Sequence, residues 1–457
     1  MKIILLGAGS VGVSVAESLA NEKNDIVVID KNSKRLRDLQ DRMDVATVCG
    51  HGSHPNILRK AGAEDADMII AVTDNDEINM LACQLAYTLF RTPTKICRVR
   101  SDAYLSQDKL FSKESIPVDF PISPEILVTS YIERLLEYPG ALQVVEFADD
   151  RVRLVGVRAF YGGPIVGQAL NQIPKHMPGI ETRVAAIYRR DHSIIPEGKT
   201  VVDVDDEVFF IAATEHISSM MIELRGKDRP YKRIMIAGGG HIGRRLAKAI
   251  ERKYQVKLID RDLERCEQLS DQLQRTIVLH GNPSDKDLLI AEEVERCDVF
   301  CALTSDDEAN IMASLLAKRL GATKVITLIA NMAYVDLLQG GEIDIALSPQ
   351  QITIGSLLKH VRRGEVSNVY SLRRGAAEAI EITARGDSRT SRVVGRKIQD
   401  IKLPEGATIG AIVRGSEVII ANKHIMIETD DHVILFLVNK KTIHEVEKLF
   451  AVGFTFI

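Results

Sequence analysis

The sequence contains two copies of one long stretch, and this duplication limits the possible folds more than any other feature. The stretch Gly7-Ala8-Gly9-Ser10-Val11-Gly12 returns 231 residues later as Gly238-Gly239-Gly240-His241-Ile242-Gly243. At the same spacing Asp67 matches Asp298 and Asn79 matches Asn310. An ungapped match that keeps charged residues in register indicates a duplicated domain.

A second repeat follows each copy. The acidic and apolar run 205–211 resembles 430–436, now at a spacing of 225 residues. The order is therefore A–B–A′–B′, and we predict segments 1–123, 143–227, 232–348 and 368–453. The change in spacing is expected between the A and B segments, because loop length varies at little cost. A chain of 457 residues is long enough for several domains.

Segment A alternates strand and helix patterns, which predicts an α/β fold: a doubly wound, Rossmann-like parallel sheet. The predicted strands are Lys2–Leu6, Ile26–Asp30, Asp67–Thr73 and Lys95–Arg100, and the predicted helices are Val11–Glu22, Lys34–Arg42 and Glu77–Phe90. Segment B has short β-type runs and turns, and we predict a small α+β module. Its predicted strands are Leu154–Arg158, Arg183–Arg189 and Val208–Ala212, before a helix around Glu215–Leu224.

Composition excludes several classes of protein. The 59 basic and 63 acidic residues give a net charge of −4, so no global charge favours nucleic acid. No apolar run approaches the roughly 20 residues that a membrane span needs. The first residues are interpreted as a β-strand rather than a signal peptide. The six cysteines form no CxxC pair and are expected to be reduced core residues of a cytosolic protein.

The glycine motif of each A segment has the context that dinucleotide binding requires. Gly7, Gly9 and Gly12 follow a strand and open a helix, whose free N–H groups and positive dipole end suit phosphates. Asp30 ends the next strand, where a carboxylate can accept hydrogen bonds from ribose hydroxyls, and Asp260 has the same place in the second half. A carboxylate there favours NAD over NADP, because it repels a 2′-phosphate.

Other polar residues lie where the neighbouring strands end. Thr73-Asp74 and Thr304-Ser305 are predicted either to line the crevice or to cap the following helix. Asp76, Glu77 and Asn79 are equally compatible with a solvated first turn. Arg98 and Arg100 are predicted to share one face of a strand, either binding phosphates or forming surface ion pairs. At a spacing of 231 the second half has Ile329 and Asn331, so the two sites are predicted to differ.

The loop Gly50-His51-Gly52-Ser53-His54-Pro55 contains two histidines. A metal site would need a third ligand, and none lies at a convincing spacing. We therefore favour a loop that contacts ribose or adenine over a metal site. The counterpart in the second half has Asn282 in place of the first histidine.

These motifs, together with strings such as 137–145 and 348–351, resemble the TrkA family of RCK (regulator of potassium conductance) proteins over essentially the whole chain. The resemblance implies a cytosolic regulatory subunit at the inner membrane, forming a homotetrameric ring beneath the channel subunit TrkH. It also implies regulatory binding of NAD(H), ATP or ADP. From the residues themselves we predict no catalytic and no metal site. The candidate nucleotide-binding residues are Gly7, Ala8, Gly9, Ser10, Val11, Gly12, Asp30, Lys31, His51, Gly52, Ser53, Thr73, Asp74, Arg98, Arg100 and Glu125, then Gly238, Gly239, Gly240, His241, Ile242, Asp260, Arg261, Asn282, Thr304 and Ser305.

Within this family, Glu125 matches an acid on the helix that crosses to the neighbouring domain. Its counterpart here is Gln350. The competing hypothesis is an NAD-dependent dehydrogenase, which would need an acid/base group and a charge clamp near the nicotinamide. Segment B lacks an obvious set of such groups. A scaffold with vestigial nucleotide sites is the third alternative, mainly for the second half.

Overall fold

The computed structural model describes residues 1–20, 24–107, 109–190, 192–338, 341–362, 365–373, 376–439 and 442–452. The chain divides into two compact bodies. The first comprises residues 1–128, 329–333 and 348–354, and the second comprises 129–328, 334–347 and 355–457.

The first sheet is parallel and has six strands in the order β3-β2-β1-β4-β5-β6. This strand order is that of a doubly wound nucleotide-binding fold, so the predicted fold class is confirmed. The elements are β1 Lys2–Leu6, α1 Ser10–Ala20, β2 Asp25–Asp30, α2 Ser33–Gln40, β3 Ala46–Cys49, α3 Pro55–Lys60, β4 Met68–Ala71, α4 Asp76–Phe90, β5 Thr94–Arg98, α5 Asp102–Leu105 and β6 Phe120–Ile122. The predicted end of the first helix, Glu22, lies outside the described residues.

Helix α6, Pro124–Glu137, leads from this sheet into the first antiparallel sheet. That sheet has the strand order β10-β9-β11-β8-β7. Its elements are β7 Ala141–Phe147, β8 Val152–Arg158, α7 Ile173–His176, β9 Thr182–Arg189, β10 His192–Ile194, β11 Glu207–Ala213 and α8 Ile217–Arg225. The three predicted strands and the closing helix are confirmed, whereas β7 and β10 were not predicted.

The second half repeats both sheets. Its parallel sheet has the order β14-β13-β12-β15-β16-β17, and its antiparallel sheet has the order β18-β19-β22-β20-β21. The elements are β12 Arg233–Ala237, α9 His241–Ile250, β13 Gln255–Asp260, α10 Leu263–Gln272, β14 Ile277–His280, α11 Lys286–Ala291, β15 Val299–Ala302, α12 Asp307–Arg319, β16 Lys324–Leu328, α13 Met332–Leu337, β17 Ile345–Leu347, α14 Pro349–Val361, β18 Val366–Leu372, β19 Ala377–Thr383, β20 Ala407–Arg414, β21 Glu417–Ile420, β22 His432–Leu437 and α15 Ile443–Phe450.

The structure corrects where the repeat changes its spacing. Strands β4 and β15 pair with β5 and β16 in the same register, which makes Arg98 equivalent to Leu328 and Arg100 equivalent to Ala330. The equivalence with Ile329 and Asn331 was therefore wrong by one residue, because α12 is shorter than α4. The spacing of 225 already holds at β6 and β17, so the change falls inside the A segments rather than after them.

The two antiparallel sheets share one hydrophobic core. A single cluster of buried side chains includes Phe147 and Phe209 from the first sheet and Leu372 and Phe436 from the second. Phe147 and Leu372 are equivalent positions of the repeat. The rings of Phe209 and Phe436 lie 5.7 Å apart, centroid to centroid. The B and B′ segments thus pack through the same face of both copies, like an isologous dimer interface within one chain.

An ion pair of reversed polarity occupies equivalent positions of the two halves. Glu137 at the end of α6 lies 3.5 Å from Arg153 on β8. In the second half the corresponding residues are Arg362 and Glu378, whose charged atoms lie 2.9 Å apart. Both halves therefore have an ion pair between the end of the helix and the strand, although the charges are exchanged. The fold requires the pairing of opposite charges at this contact, and not a particular polarity.

Among the described residues, no helix combines the length and apolar character needed to cross a lipid bilayer. All six cysteines are free thiols. Five are buried, as expected for core residues, but Cys49 at the end of β3 is exposed. The expectation of a core position was wrong for Cys49, because β3 is an edge strand of its sheet.

Lys324 at the start of β16 is buried, and its Nζ donates a hydrogen bond to the carbonyl oxygen of Ala141 at 2.6 Å. Burial lowers the pKa of Lys324 to about 8, although Asp344 opposes the shift. At pH values between this pKa and the higher lysine pKa of the unfolded chain, the Lys324 side chain is protonated in the unfolded state but not in the folded state. Stability therefore rises with pH in this window, by about 3 kcal/mol for a shift of this size.

We expect Lys324→Met to flatten the rise in unfolding free energy between pH 8 and 10, as measured by urea unfolding. Lys248→Met, which removes an exposed lysine from α9, is the matched control and should keep the wild-type slope. Parallel slopes for both variants would contradict a depressed pKa at Lys324.

Candidate functional site

The glycine loop of the first sheet has the geometry that the motif predicts. Gly7 has φ +102°, a conformation that side chains disfavour, and its N–H donates to the carbonyl of Ile29 at 2.8 Å. A Cβ on Gly12 would lie 1.8 Å from the oxygen of Gly7, so only glycine lets α1 approach the loop. A Cβ on Gly9 would meet no atom within 4 Å. The middle glycine therefore faces open space, where a ligand can approach the backbone.

Asp30 lies directly beside this loop. Its Oδ2 accepts a hydrogen bond from the N–H of Ala8 at 2.7 Å, and its Oδ1 accepts one from the N–H of Asn32 at 2.8 Å. The carboxylate is only half-buried, so it retains lone pairs that solvent or a ribose can reach. Asp30 thus joins β2 to the glycine loop in addition to its predicted role toward ribose.

Strands β3 and β4 of the first sheet end at the same edge as β2. The loop after β3 carries His51, Gly52 and Ser53, and the rings of His51 and His54 are stacked with their centroids 5.3 Å apart. His51 and Lys31 are exposed, as is Asp74 after β4. Parallel strands bring their carboxyl ends together, so these residues line one crevice with Asp30. Nowhere in the described ranges do three or more His, Cys, Asp or Glu side chains gather as a metal would require.

Thr73 is not the cap of the following helix, which was one of its two predicted roles. The cap of α4 is Asn75, whose side chain accepts from the N–H of Ile78. Thr73 instead donates its hydroxyl to Oδ1 of Asn79 at 2.6 Å. Asn79 is fully buried and also donates to the carbonyl of Arg98 at 3.0 Å. The interpretation of Asn79 as a solvated first-turn residue was wrong: its amide ties the ends of β4 and β5 together.

The second half repeats this amide bridge. Thr304 donates to Asn310 at 2.7 Å, and Asn310 donates to the carbonyl of Leu328 at 2.9 Å. The sequence held a signal for this role, because asparagine occupies the same position in both copies. When both copies of a repeat keep the same polar side chain at equivalent positions, that side chain is expected to have a structural role, even in the first turn of a helix.

Arg98 and Arg100 do not lie on one strand, because β5 ends at Arg98. Arg98 is largely buried, and its guanidinium lies 3.3 Å from the carboxylate of Glu125. Arg100 donates to the carbonyl of Asp74 and lies 3.7 Å from Asp76. Both arginines are thus partnered by carboxylates. The ion-pair alternative is correct in the pairing but wrong in placing the Arg98 pair on the surface, because Arg98 and Glu125 are both largely buried.

For Asp76, too, the alternative of a solvated first-turn residue was wrong. Asp76 is 7% exposed, and its Oδ2 accepts from the N–H groups of Arg100 and Ser101, each at 2.9 Å. Glu77 does stay exposed and accepts from the hydroxyl of Tyr104 at 2.8 Å. The first turn of α4 therefore fixes the chain that follows β5, which no local sequence pattern could indicate.

The second sheet repeats the glycine loop with one difference around its carboxylate. Gly238 has φ +106°, and the Oδ2 of Asp260 accepts from the N–H of Gly239 at 2.6 Å. Asp260 is only 4% exposed, and Arg265 of α10 lies 3.4 Å from it. The predicted residues Gly240, His241, Ile242, Arg261, Asn282, Thr304 and Ser305 lie at the same sheet edge. In place of Glu125 the second half has Gln350, which accepts a hydrogen bond from Ser348 at 2.9 Å.

Sequence comparison matches both halves to the same pair of family models. The TrkA-N domain matches residues 3–124 and 234–349, and the TrkA-C domain matches 149–223 and 388–451. The chain is 61% identical to the Trk system potassium uptake protein TrkA of Halomonas elongata, over all of both chains. It is 59% identical to that of Vibrio alginolyticus, over 98% of each chain, and 53% identical to that of Haemophilus influenzae, over all of both.

Solved structures with the same fold include the GsuK RCK domain and the GsuK channel. The first superposes with a TM-score of 0.62 over 98% of this chain and 94% of that one. The GsuK channel bound to NAD gives a TM-score of 0.61, over 98% of this chain and 78% of that one. Both are 17% identical to this chain, so they show a shared fold and no more.

Proposed function

The chain belongs to the TrkA family of Trk-system potassium uptake proteins, and from this membership we propose that it is a nucleotide-sensing regulatory subunit. The ligands are NAD(H) and ATP or ADP, bound at the carboxyl edge of the parallel sheets. The observation that carries the proposal is the open face of Gly9 beside the carboxylate of Asp30, repeated at Gly240 and Asp260. A channel of the same fold is known bound to NAD.

The proposed partner is TrkH, the membrane potassium-channel subunit, and the proposed assembly is a homotetrameric ring on the cytoplasmic face of the inner membrane. A ligand regulates only by binding two conformations with different affinity. Arg98 and Glu125 supply such a difference: bound phosphates compete with Glu125 for the guanidinium, and Glu125 belongs to α6, the helix that leads toward segment B. A coupling of roughly 1–3 kcal/mol corresponds to a 5–150-fold change in affinity.

Gly9→Val tests the site without disturbing the fold. The added side chain meets no protein atom near its Cβ, so the variant should unfold at the wild-type temperature while it blocks the approach of a pyrophosphate. We expect NADH binding at the first site to disappear in calorimetry, and reconstituted TrkH to lose its response to nucleotide. Gly240→Val is the matched variant of the second site. Wild-type NADH affinity in both single variants and in their combination would contradict the proposal.

We also expect the protein to bind NADH without oxidising it. The crevice described above holds arginines, carboxylates, an amide bridge and a loop with two exposed histidines, an arrangement that binds phosphate and ribose. The measurement is NADH absorbance with a broad panel of ketones and aldehydes. Turnover that Gly9→Val abolishes would instead establish the dehydrogenase alternative.

A further inference from the structure

A cavity of about 630 Å³ opens in the second body, at the amino ends of β12, β13 and β14. The glycine loop Gly238–Gly243 follows the carboxyl end of β12, so the cavity and the crevice lie at opposite edges of the same sheet. Nothing in the proposed function uses this edge.

Six cationic side chains line the cavity. Lys257 and Lys253 are paired with Glu292 and Glu137. The other four are Lys232, Arg233, Arg252 and Arg275. All four residues are exposed, and their charged groups form no ion pair or side-chain hydrogen bond with another described residue. Guanidinium groups in such a setting are suited to bind phosphate or carboxylate, because they present several N–H donors in a fixed plane.

The three carboxylates that line the same cavity are already compensated. Glu251 accepts from the N–H groups of residues 274, 275 and 276, at 3.0, 2.9 and 3.1 Å. Burial opposes ionisation of Glu251, yet these donors lower its pKa below the ordinary value. Glu292 lies 2.8 Å from Lys257, and Glu293 lies 3.1 Å from Arg296. The remaining potential in the cavity is therefore positive.

The fold itself does not require these cations. The first half builds the same sheet with Met1 and Asp44 at the positions of Lys232 and Arg275. Arg233 corresponds to Lys2, which lies 3.4 Å from Asp65. Of the equivalent first-half positions that the structure describes, none carries an unpaired basic side chain, and the counterpart of Arg252 lies outside the described residues. A function specific to the second half accounts for its cations better than stability does.

The cavity also has an apolar wall that includes Tyr254, Val256 and Cys297. The hydroxyl of Tyr254 donates to the carbonyl of Leu136 at 3.3 Å, near the end of α6. We infer that this cavity binds a phosphorylated ligand with an apolar body, either a soluble metabolite or the headgroup of an anionic phospholipid. Because Tyr254 in the cavity wall is hydrogen-bonded to α6, a ligand bound in the cavity would influence the position of the helix that enters segment B.

The test uses 1-naphthyl phosphate as the probe and the Gly9→Val/Gly240→Val protein, in which both glycine loops are blocked. We expect saturable, salt-sensitive binding by fluorescence, weakened at least tenfold by adding Arg252→Gln and Arg275→Asp, because each removes a charge-assisted contact. Arg275→Asp introduces the residue that the first half has at this position. The matched control is Arg392→Gln with Arg396→Asp, two exposed arginines of segment B′, and it should bind like the parent.

Flotation with phosphatidylglycerol vesicles distinguishes the two sources of the phosphate. Flotation that the Arg252/Arg275 variant loses and the control keeps identifies a lipid headgroup, and probe binding without flotation identifies a soluble ligand. The inference is overturned if the parent binds neither probe nor vesicles, or if both double variants bind equally. Because the glycine loops are blocked throughout, this result is independent of the nucleotide sites.

Discussion

Asp30→Ala should weaken NADH binding at the first site at least tenfold. The substitution removes the acceptor for two ribose hydroxyls, and a hydrogen bond to a charged partner contributes about 1.5–3 kcal/mol. It also removes the acceptor for the N–H groups of Ala8 and Asn32, so the glycine loop loses a support. Both effects reduce affinity in the same direction, and calorimetry measures their sum.

Asp30→Asn separates the two effects, because it keeps the size and one carbonyl acceptor while it removes the charge. We expect an intermediate loss of affinity. Cys49 pairs with Asp30 in the sheet register and is the exposed thiol, so its alkylation reports on the same crevice. NADH should slow alkylation in the wild type but not in Asp30→Ala. Unchanged NADH affinity in Asp30→Ala would mean that Asp30 serves the loop alone.

Arg98→Leu with Arg100→Ala gives the first site the residues of the second, and we expect ATP to bind at least tenfold more weakly. NADH should lose no more than about threefold, because it carries less negative charge than ATP and gains less from two guanidinium groups. We propose on this basis that ATP prefers the first site, whereas the second binds NAD(H), ADP or nothing.

The Arg98/Arg100 variant leaves the carboxylate of Glu125 without its partner, and this carboxylate would itself repel ATP. The decisive comparison therefore repeats the measurement with Glu125→Gln, the residue found at the equivalent position 350. If ATP is still weakened more than NADH when Glu125→Gln is present in both proteins, the guanidinium groups carry the preference. Normal ATP binding by the triple variant, or ATP found only in the second site, would refute it.

The sequence alone determined the architecture of each segment, because local periodicity and glycine spacing are short-range properties. Gly7 and Gly12 were predictable in place and role, since a tight turn and a close helix approach admit few residue types. Asp30 was predictable in place, and its role toward ribose stays a prediction. Because the sequence is duplicated, the prediction made for each segment also applied to its copy in the other half. The fixed spacing of 231 residues nevertheless gave Ile329 as the equivalent of Arg98, whereas the strand register gives Leu328. The cause is a one-residue deletion in a helix, which the sequence comparison alone did not detect.

The tertiary structure decided which polar residues are exposed in the crevice and which are buried beneath it. Asn79 and Asp76 have the sequence context of a solvated helix start, yet both are buried because the chain after β5 returns over that turn. The pairing of Arg98 with Glu125 and the common core of the two antiparallel sheets likewise join residues distant in sequence. Helix and strand patterns report only which face of an element is apolar. What covers that face, and which charge meets which, is set by long-range packing that no local pattern encodes.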